Sequence, residues 1–462
     1  MIKFKELFAP KDLTEGTPWK RIVEFAIPML IGNIAQQFYN TADSIIVGKY
    51  IGDNALAAVG SASPILNLLL VLFVGIAVGA GIMVSQYFGA KDREKLSRTI
   101  GICITLTLIS SVIIMIIGPM VTRPLLSLLN TPSSIIDWCA SYLIIYFIGI
   151  GGLAYYNILA GVLRGLGDSL SALVFLLIST VLNVVLDILF VARFNMGVPG
   201  VALATVIAQT ISAILCVLKL LKMNDSFNLS WKMLRLDKEY SYRLIKLGLP
   251  SGLTQAIFSL AMIVVQSLTN SFGEMVIACN VIIMRVDGFA MMPNFSFGSA
   301  MTTYAGQNVG AKRIDRIEKG AKDGTLISVG ISTTITILIL VFGRYLMGIF
   351  TDTKELVDLS MHMMRILALG YIAMAVTQCL SGVMRGAGDT VTPMWISLIT
   401  TVVLRVPVAY GIAYFTRSDA YPTGRPESTF ISLLVSWTAG AIITTIFYKK
   451  GNWRKKSLTD ES

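Results

Sequence analysis

Two carboxylates stand where a chain this apolar should carry none. Asp43 and Asp187 both fall inside long hydrophobic runs, and an ionised side chain at mid-bilayer costs about 2.5–3.5 kcal/mol on insertion scales. Asp43 closes a stripe with Asn33, Gln36 and Asn40, spaced three, four and three residues apart, so a helix gathers all four on one face. Ser179, Asn183 and Asp187 recur every four residues and do the same, and Thr205 stands about two turns into the next apolar run. Two carboxylates, an amide oxygen and a hydroxyl are hard oxygen donors of the kind a sodium ion takes. Without an ion the two carboxylates repel at low dielectric, and one of them is expected to take up a proton instead. The set Asp43, Asn183, Asp187 and Thr205 is therefore a candidate cation-coupling site for Na⁺ or H⁺. The amides and hydroxyls on these faces have a second use, as hydrogen-bonding glue between helices; for a carboxylate that use is too costly.

The elements that position these groups follow from composition. The chain has 462 residues, 55% of them hydrophobic and 14% charged, with a mean hydropathy of +0.72. Ordinary soluble domains carry about 25% charged residues, so lipid has to act as solvent for much of this surface. Apolar runs lie near 22–48, 57–88, 99–122, 138–163, 169–192 and 197–222, and again near 245–270, 276–307, 323–349, 356–384, 391–416 and 428–448. Each is long enough to cross a bilayer as a helix and too long for a barrel strand. The expected fold is an all-α polytopic membrane protein with twelve transmembrane helices.

Charge sets the orientation. Of the 38 Lys and Arg residues, only Lys49, Arg123, Arg193, Arg344, Lys354, Arg417 and Arg425 fall on outer segments when the N-terminus is cytoplasmic, and Arg285, Arg365 and Arg405 fall within spans. All the others lie on the cytoplasmic side, as the positive-inside rule requires. Both termini are thus expected in the cytoplasm, with the chain in the inner (cytoplasmic) membrane. The net charge of +11 is spent on topology and contact with anionic lipid, and its dispersion over membrane-flanking loops speaks against a nucleic-acid partner. The start, MIKFKELFAPKDL, lacks a signal-peptide core and cleavage site, so the first span is expected to be retained.

Three features recur at one offset of 221 residues. Arg164-Gly-Leu-Gly-Asp168 returns as Arg385-Gly-Ala-Gly-Asp389, Gln86-Tyr-Phe-Gly-Ala-Lys91 as Gln307-Asn-Val-Gly-Ala-Lys312, and Gly52-Asp53 as Gly273-Glu274. This is an internal repeat. Six helices return the chain to its starting side, so the repeats are parallel and are expected to flank a central cleft. The expected division is an N-terminal lobe at 1–222, a cytoplasmic linker at 223–244, and a C-terminal lobe with a basic tail at 245–462.

The second repeat does not copy the first one's acids: the offset carries Asp43 to Val264, Asn183 to Leu404 and Asp187 to Val408. Its own charges are Arg285, Asp287 and Arg405, with Asp287 and Arg405 each about eleven residues from the outer end of their helices and so at matching depth. They read either as a structural ion pair or as part of a substrate site. Gln36, Asn40, Gln255, Asp287, Met291 and Arg405 are the candidate substrate-cleft residues, Met291 because methionines beside Pro293 suit an adaptable pocket.

Other chemistries are poorly served. The five cysteines form no CxxC pair and the only histidine is His362, so neither a thiolate metal site nor a histidine-based enzyme is expected. There is no GxxxxGK[ST], and Gly149, Gly151 and Gly152 lie within a span rather than a strand–turn–helix unit. Gly75, Gly79 and Gly81 fit close helix packing. No cofactor is expected beyond the coupling ion.

These residues resemble the multidrug and toxic compound extrusion (MATE) family over essentially the whole chain. The resemblance is carried by NTADSIIVGKYIGDNALAAVG around Asp43, GSAMTTYAGQNVGAK at 298–312, LRGLGD and MRGAGD, LNVVLDILF, and GVALAT. It implies that Asp43, Asn183, Asp187 and Thr205 form the cation site, and that Na⁺ or H⁺ enters as an organic cation leaves. The chain looks similar to the bacterial drug-exporting branch and is expected to act as a monomer. It departs from branches that place an acid on the seventh helix, having only Gln255 there, which favours coupling in the N-terminal lobe. The alternative within the same superfamily is a flippase of a lipid-linked sugar or other amphipathic lipid.

Overall fold

Backbone groups in lipid must satisfy one another, and the apolar runs do so as helices. The computed structural model describes residues 10–129, 131–223, 227, 228 and 230–458; residues 224–226 and 229 of the expected linker, and the two chain ends, lie outside the described residues. The helices are α1 (Pro18–Tyr50), α2 (Asp53–Gly89), α3 (Arg93–Leu128), α4 (Ile136–Ile148), α5 (Ile150–Gly165), α6 (Ser169–Asp187) and α7 (Gly197–Leu221). The second series is α8 (Lys238–Ser271), α9 (Glu274–Gly310), α10 (Ile314–Gly348), α11 (Lys354–Ala368), α12 (Gly370–Gly386), α13 (Val391–Leu398), α14 (Arg405–Phe415) and α15 (Glu427–Lys450). π-helical turns continue α6 at Ile188–Arg193 and join α13 to α14 at Ile399–Leu404.

Among the described residues these make twelve passages. Nine are long and apolar enough to span a membrane unaided, and the pairs α4–α5 and α11–α12 are single passages bent by 55° and 41°. The twelfth is α1, whose Asn33, Gln36, Asn40 and Asp43 dilute its apolar character. Apolar side chains such as Ile113, Ile116 and Met120 on α3 are exposed, as a lipid-facing surface requires.

The repeat is visible in the backbone. Gly52 and Gly273 (φ 109° and 95°) precede α2 and α9, Lys91 and Lys312 (φ 57° each) follow them, and Gly167 and Gly388 (φ 84° and 98°) turn the chain out of α5 and α12. The Asp168 carboxylate accepts from Ser171 N at 2.9 Å and Ser171 Oγ at 2.6 Å. Asp389 accepts likewise from Thr392 N at 3.2 Å and Thr392 Oγ1 at 2.7 Å. These caps satisfy donors that a helix start leaves open. Asp389→Ala is expected to cost about 1 kcal/mol, read as a lower thermal midpoint of the purified protein. Asp168→Ala should cost more, since Asp168 also holds Lys219 Nζ at 3.3 Å; equal midpoints for both variants and wild type would remove the caps from the account.

The chain packs into two compact units; of the three points at which it passes between them, two lie inside helices, within α1 and α8. Unit 1 takes the described part of Met1–Asp12 together with Ile27–Gly252. In it the first half of α8 lies on α2 with almost no space between: a Cβ on Gly79 would meet Leu244 O at 2.7 Å and Gly248 N at 2.8 Å. The linker is docked as well, with Thr105 Oγ1 donating to Leu234 O at 2.6 Å and Arg98 paired with Asp237 at 3.5 Å. Unit 2 takes Leu13–Ala26 and Leu253–Ser462 up to its last described residue. There Leu13 N donates to Gln307 Oε1 at 2.9 Å, Asn308 Nδ2 to Leu13 O at 3.2 Å, and Arg316 to the carbonyls of Leu13 and Gly16.

Candidate functional site

In unit 1, four helices bring their polar groups to one place. α6 and α7 run antiparallel, which sets Asn183 opposite Thr205. The Asn183 amide is assigned with Nδ2 donating to Asp187 Oδ2 at 2.9 Å and Oδ1 accepting from Thr205 Oγ1 at 3.2 Å, the orientation that satisfies both ends. α1 contributes Asp43 and, one turn earlier, Tyr39, whose hydroxyl donates to Thr205 Oγ1 at 3.2 Å. The Asp43 and Asp187 carboxyl groups lie within hydrogen-bond reach of each other. One oxygen on each, Oδ1 in both cases, has no hydrogen-bond partner in the protein. Asp187 and Asn183 are fully buried, Thr205 is 4% exposed and Asp43 is partly buried, so bulk water screens Asp187 little.

Local backbone explains part of this placement. The π-helical turn begins directly after Asp187, and such turns inside a helix re-aim side chains and are frequent at functional sites. α4 supplies Tyr142 and Tyr146, with ring centroids 5.0 Å apart; Tyr146 stands close to Thr205 and to both aspartates. These phenols, with Tyr39, are site residues that the sequence reading passed over. A signal was present: Tyr39 precedes Asp43 by four residues, and Tyr142 precedes Tyr146 by four.

The candidate substrate residues are spread more widely. Gln36 Nε2 donates to Asn40 Oδ1 at 3.5 Å along α1, and Gln255 is exposed on α8. Met291 is buried among the apolar residues of unit 2, with Tyr371, Met364 and Trp437. Asp287 and Arg405 face each other in unit 2 without forming a contact ion pair, and Asp287 Oδ1 and Arg405 Nε have no partner. Among the described residues no group of three or more His, Cys, Asp or Glu could hold a metal ion.

A twelve-passage helical chain built from two like repeats has the architecture of a membrane transporter. The MatE family model matches residues 28–189 and again 250–411, once in each repeat, and the chain belongs to that family, whose members are transporters and not enzymes. It is 29% identical over 464 residues to the probable multidrug resistance protein YoeA of Bacillus subtilis, covering 98% of each chain. It is 30% identical over 451 residues to the probable multidrug resistance protein YpnP of the same organism, covering 97% of this chain and 99% of that one. Among solved structures, the outward-facing conformation of a multidrug resistance MATE family transporter of the MOP superfamily superposes with a TM-score of 0.88 at 24% identity, covering 96% of this chain and 98% of that one.

Proposed function

We propose that the chain is a secondary active multidrug exporter of the inner (cytoplasmic) membrane, working as a monomer with both termini in the cytoplasm. It antiports small organic cations against inward Na⁺ or H⁺. The observation that carries this reading is the approach of Asp43 to Asp187 in a buried, oxygen-rich site. Two bare carboxylates at that separation repel strongly in low dielectric, so the pair is stable only with a proton or a cation between them. Asp43 Oδ1 and Asp187 Oδ1, unpartnered within the protein, with Asn183 Oδ1 and Thr205 Oγ1, would hold Na⁺.

Occupation of the site pulls α1, which carries Asp43, toward α6 and α7. Release lets it relax, and transport couples to this difference because only a differential interaction shifts a conformational equilibrium. One-for-one exchange of monovalent cations moves no net charge and draws only on the chemical gradient, about 1.4 kcal/mol per pH unit for a proton. Two ions per substrate would add roughly 2.3 kcal/mol per 100 mV.

The test is ethidium transport in proteoliposomes holding the purified full-length chain, under separately imposed sodium and proton gradients. Uphill ethidium movement driven by one gradient names the coupling ion. If neither gradient moves ethidium, the organic-cation reading is wrong and a lipid substrate takes its place.

A further inference from the structure

Ion coupling in unit 1 leaves the buried charges of unit 2 without a role. Asp287 on α9, Tyr371 on α12 and Arg405 at the start of α14 all belong to unit 2. Two of the three stand where the helical backbone is irregular. Tyr371 lies just past the 41° bend between α11 and α12, and Arg405 directly follows the π-helical turn Ile399–Leu404. Breaks of this kind turn side chains away from regular packing and recur at functional sites.

The Tyr371 hydroxyl donates to Met364 Sδ at 3.5 Å and stands near enough to Asp287 to interact with its carboxyl. Its ring packs against Trp437, with centroids 5.9 Å apart. The Arg405 guanidinium is close enough to interact with Asp287 through charge. Even so, Asp287 Oδ1 and Arg405 Nε have no hydrogen-bond partner, and Arg405 is only 9% exposed. A pair kept for stability would close into the bidentate contact that guanidinium and carboxylate favour. Held apart, each group presents an open polar atom to whatever enters between them.

We propose that Asp287, Tyr371 and Arg405 form a binding site for zwitterionic small molecules, which place a cationic group on Asp287 and a carboxylate on Arg405. The choice follows from the sign of both neighbours. A plain cation at Asp287 is repelled by the guanidinium, and a plain anion at Arg405 is repelled by the carboxylate. A molecule carrying both charges is attracted at both ends. The planar fork of Arg405 suits a carboxylate in particular. This inference rests on the exporter reading above and deepens it by naming a second substrate class.

The test uses a matched pair of dyes in the proteoliposomes described above: rhodamine B, a cation bearing a free carboxylate, and its ethyl ester, the same cation without it. Wild type is expected to export both. Arg405→Gln should lower rhodamine B export at least tenfold and leave ester export unchanged or raised, since the guanidinium no longer repels the cation. Arg405→Lys, which keeps the charge, should recover part of the rhodamine B export. Ester export reports folding within the same preparation. Equal loss of both dyes in Arg405→Gln assigns the residue a structural role and overturns the proposal, as does no loss of either. Wild type exporting the ester but not rhodamine B overturns it while the exporter reading stands; wild type exporting neither dye removes both.

Discussion

Asp187→Asn is expected to abolish gradient-driven accumulation of substrate, lowering it at least a hundredfold at matched protein abundance. Asp187 is fully buried, and its carboxyl faces Asp43 and Asn183. Removing one unit of negative charge beside a monovalent cation forfeits about 4 kcal/mol at 4 Å and an effective dielectric of 20. That corresponds to roughly a thousandfold in affinity at 1.4 kcal/mol per decade. The amide can no longer take up a proton either, so the loss is expected whichever ion couples. Asp43→Asn should behave alike, because the two carboxyls work as a pair. The measurement separates coupling from binding: equilibrium affinity for ethidium should change little while uphill transport disappears. Full accumulation in either variant would remove the pair from the coupling mechanism and leave the fold assignment untouched.

The second large effect is structural. Gly79→Val should prevent stable folding, at a cost of about 3 kcal/mol or more, because overpacking penalties of 1–3 kcal/mol assume neighbours that can yield. Here the obstruction is backbone: Leu244 O and Gly248 N would lie within 2.8 Å of the new Cβ, so α2 and α8 must separate along their whole contact. Gly330 on α10 is the control, since a Cβ there meets nothing within 4 Å. Gly330→Ala should be neutral or gain up to about 1 kcal/mol from the stiffer unfolded chain. Folded yield after detergent extraction and the thermal midpoint together report both. A Gly79→Val protein as stable as wild type would mean that these helices are not held by their glycines.

Much of this architecture can be read without coordinates because lipid constrains it so strongly. The twelve passages follow from apolar length, and the repeat follows from turn glycines that recur as positive-φ positions at Gly52 and Gly273, and at Gly167 and Gly388. Asp43, Asn183, Asp187 and Thr205 are legible as a set because period and orientation place them at one depth, and the structure does bring them together. What escapes is whatever depends on packing between elements distant in sequence. The bends at Gly149 and Leu369 and the π-helical turns leave no periodic trace. Tyr39, Tyr142 and Tyr146 read as ordinary aromatic filler until Thr205 is placed among them. Met291 carries the same apolar signal whether it lines a pocket or fills a core, and the structure places it among the buried apolar residues of unit 2. Matching depth for Asp287 and Arg405 is compatible with an ion pair, but depth does not bring two groups into contact.

The exchange points at Ala26 and Gly252 bear on how such a chain could be divided. A cut in the 223–244 linker yields two fragments that each lack a part made by the other. The first loses Lys238–Gly252 and with it Gly248 and Gly252, leaving the glycine face of α2 open. The second loses Leu13 and Gly16, so Gln307, Asn308 and Arg316 forfeit their carbonyl and amide partners. Separately expressed halves should therefore be aggregation-prone, and co-expressed halves should rescue one another. An ancestral single-repeat subunit built this way would have swapped its first helical turns with a second copy, a low-cost route to dimers. In a single chain that carries both repeats, the same exchange is obligatory.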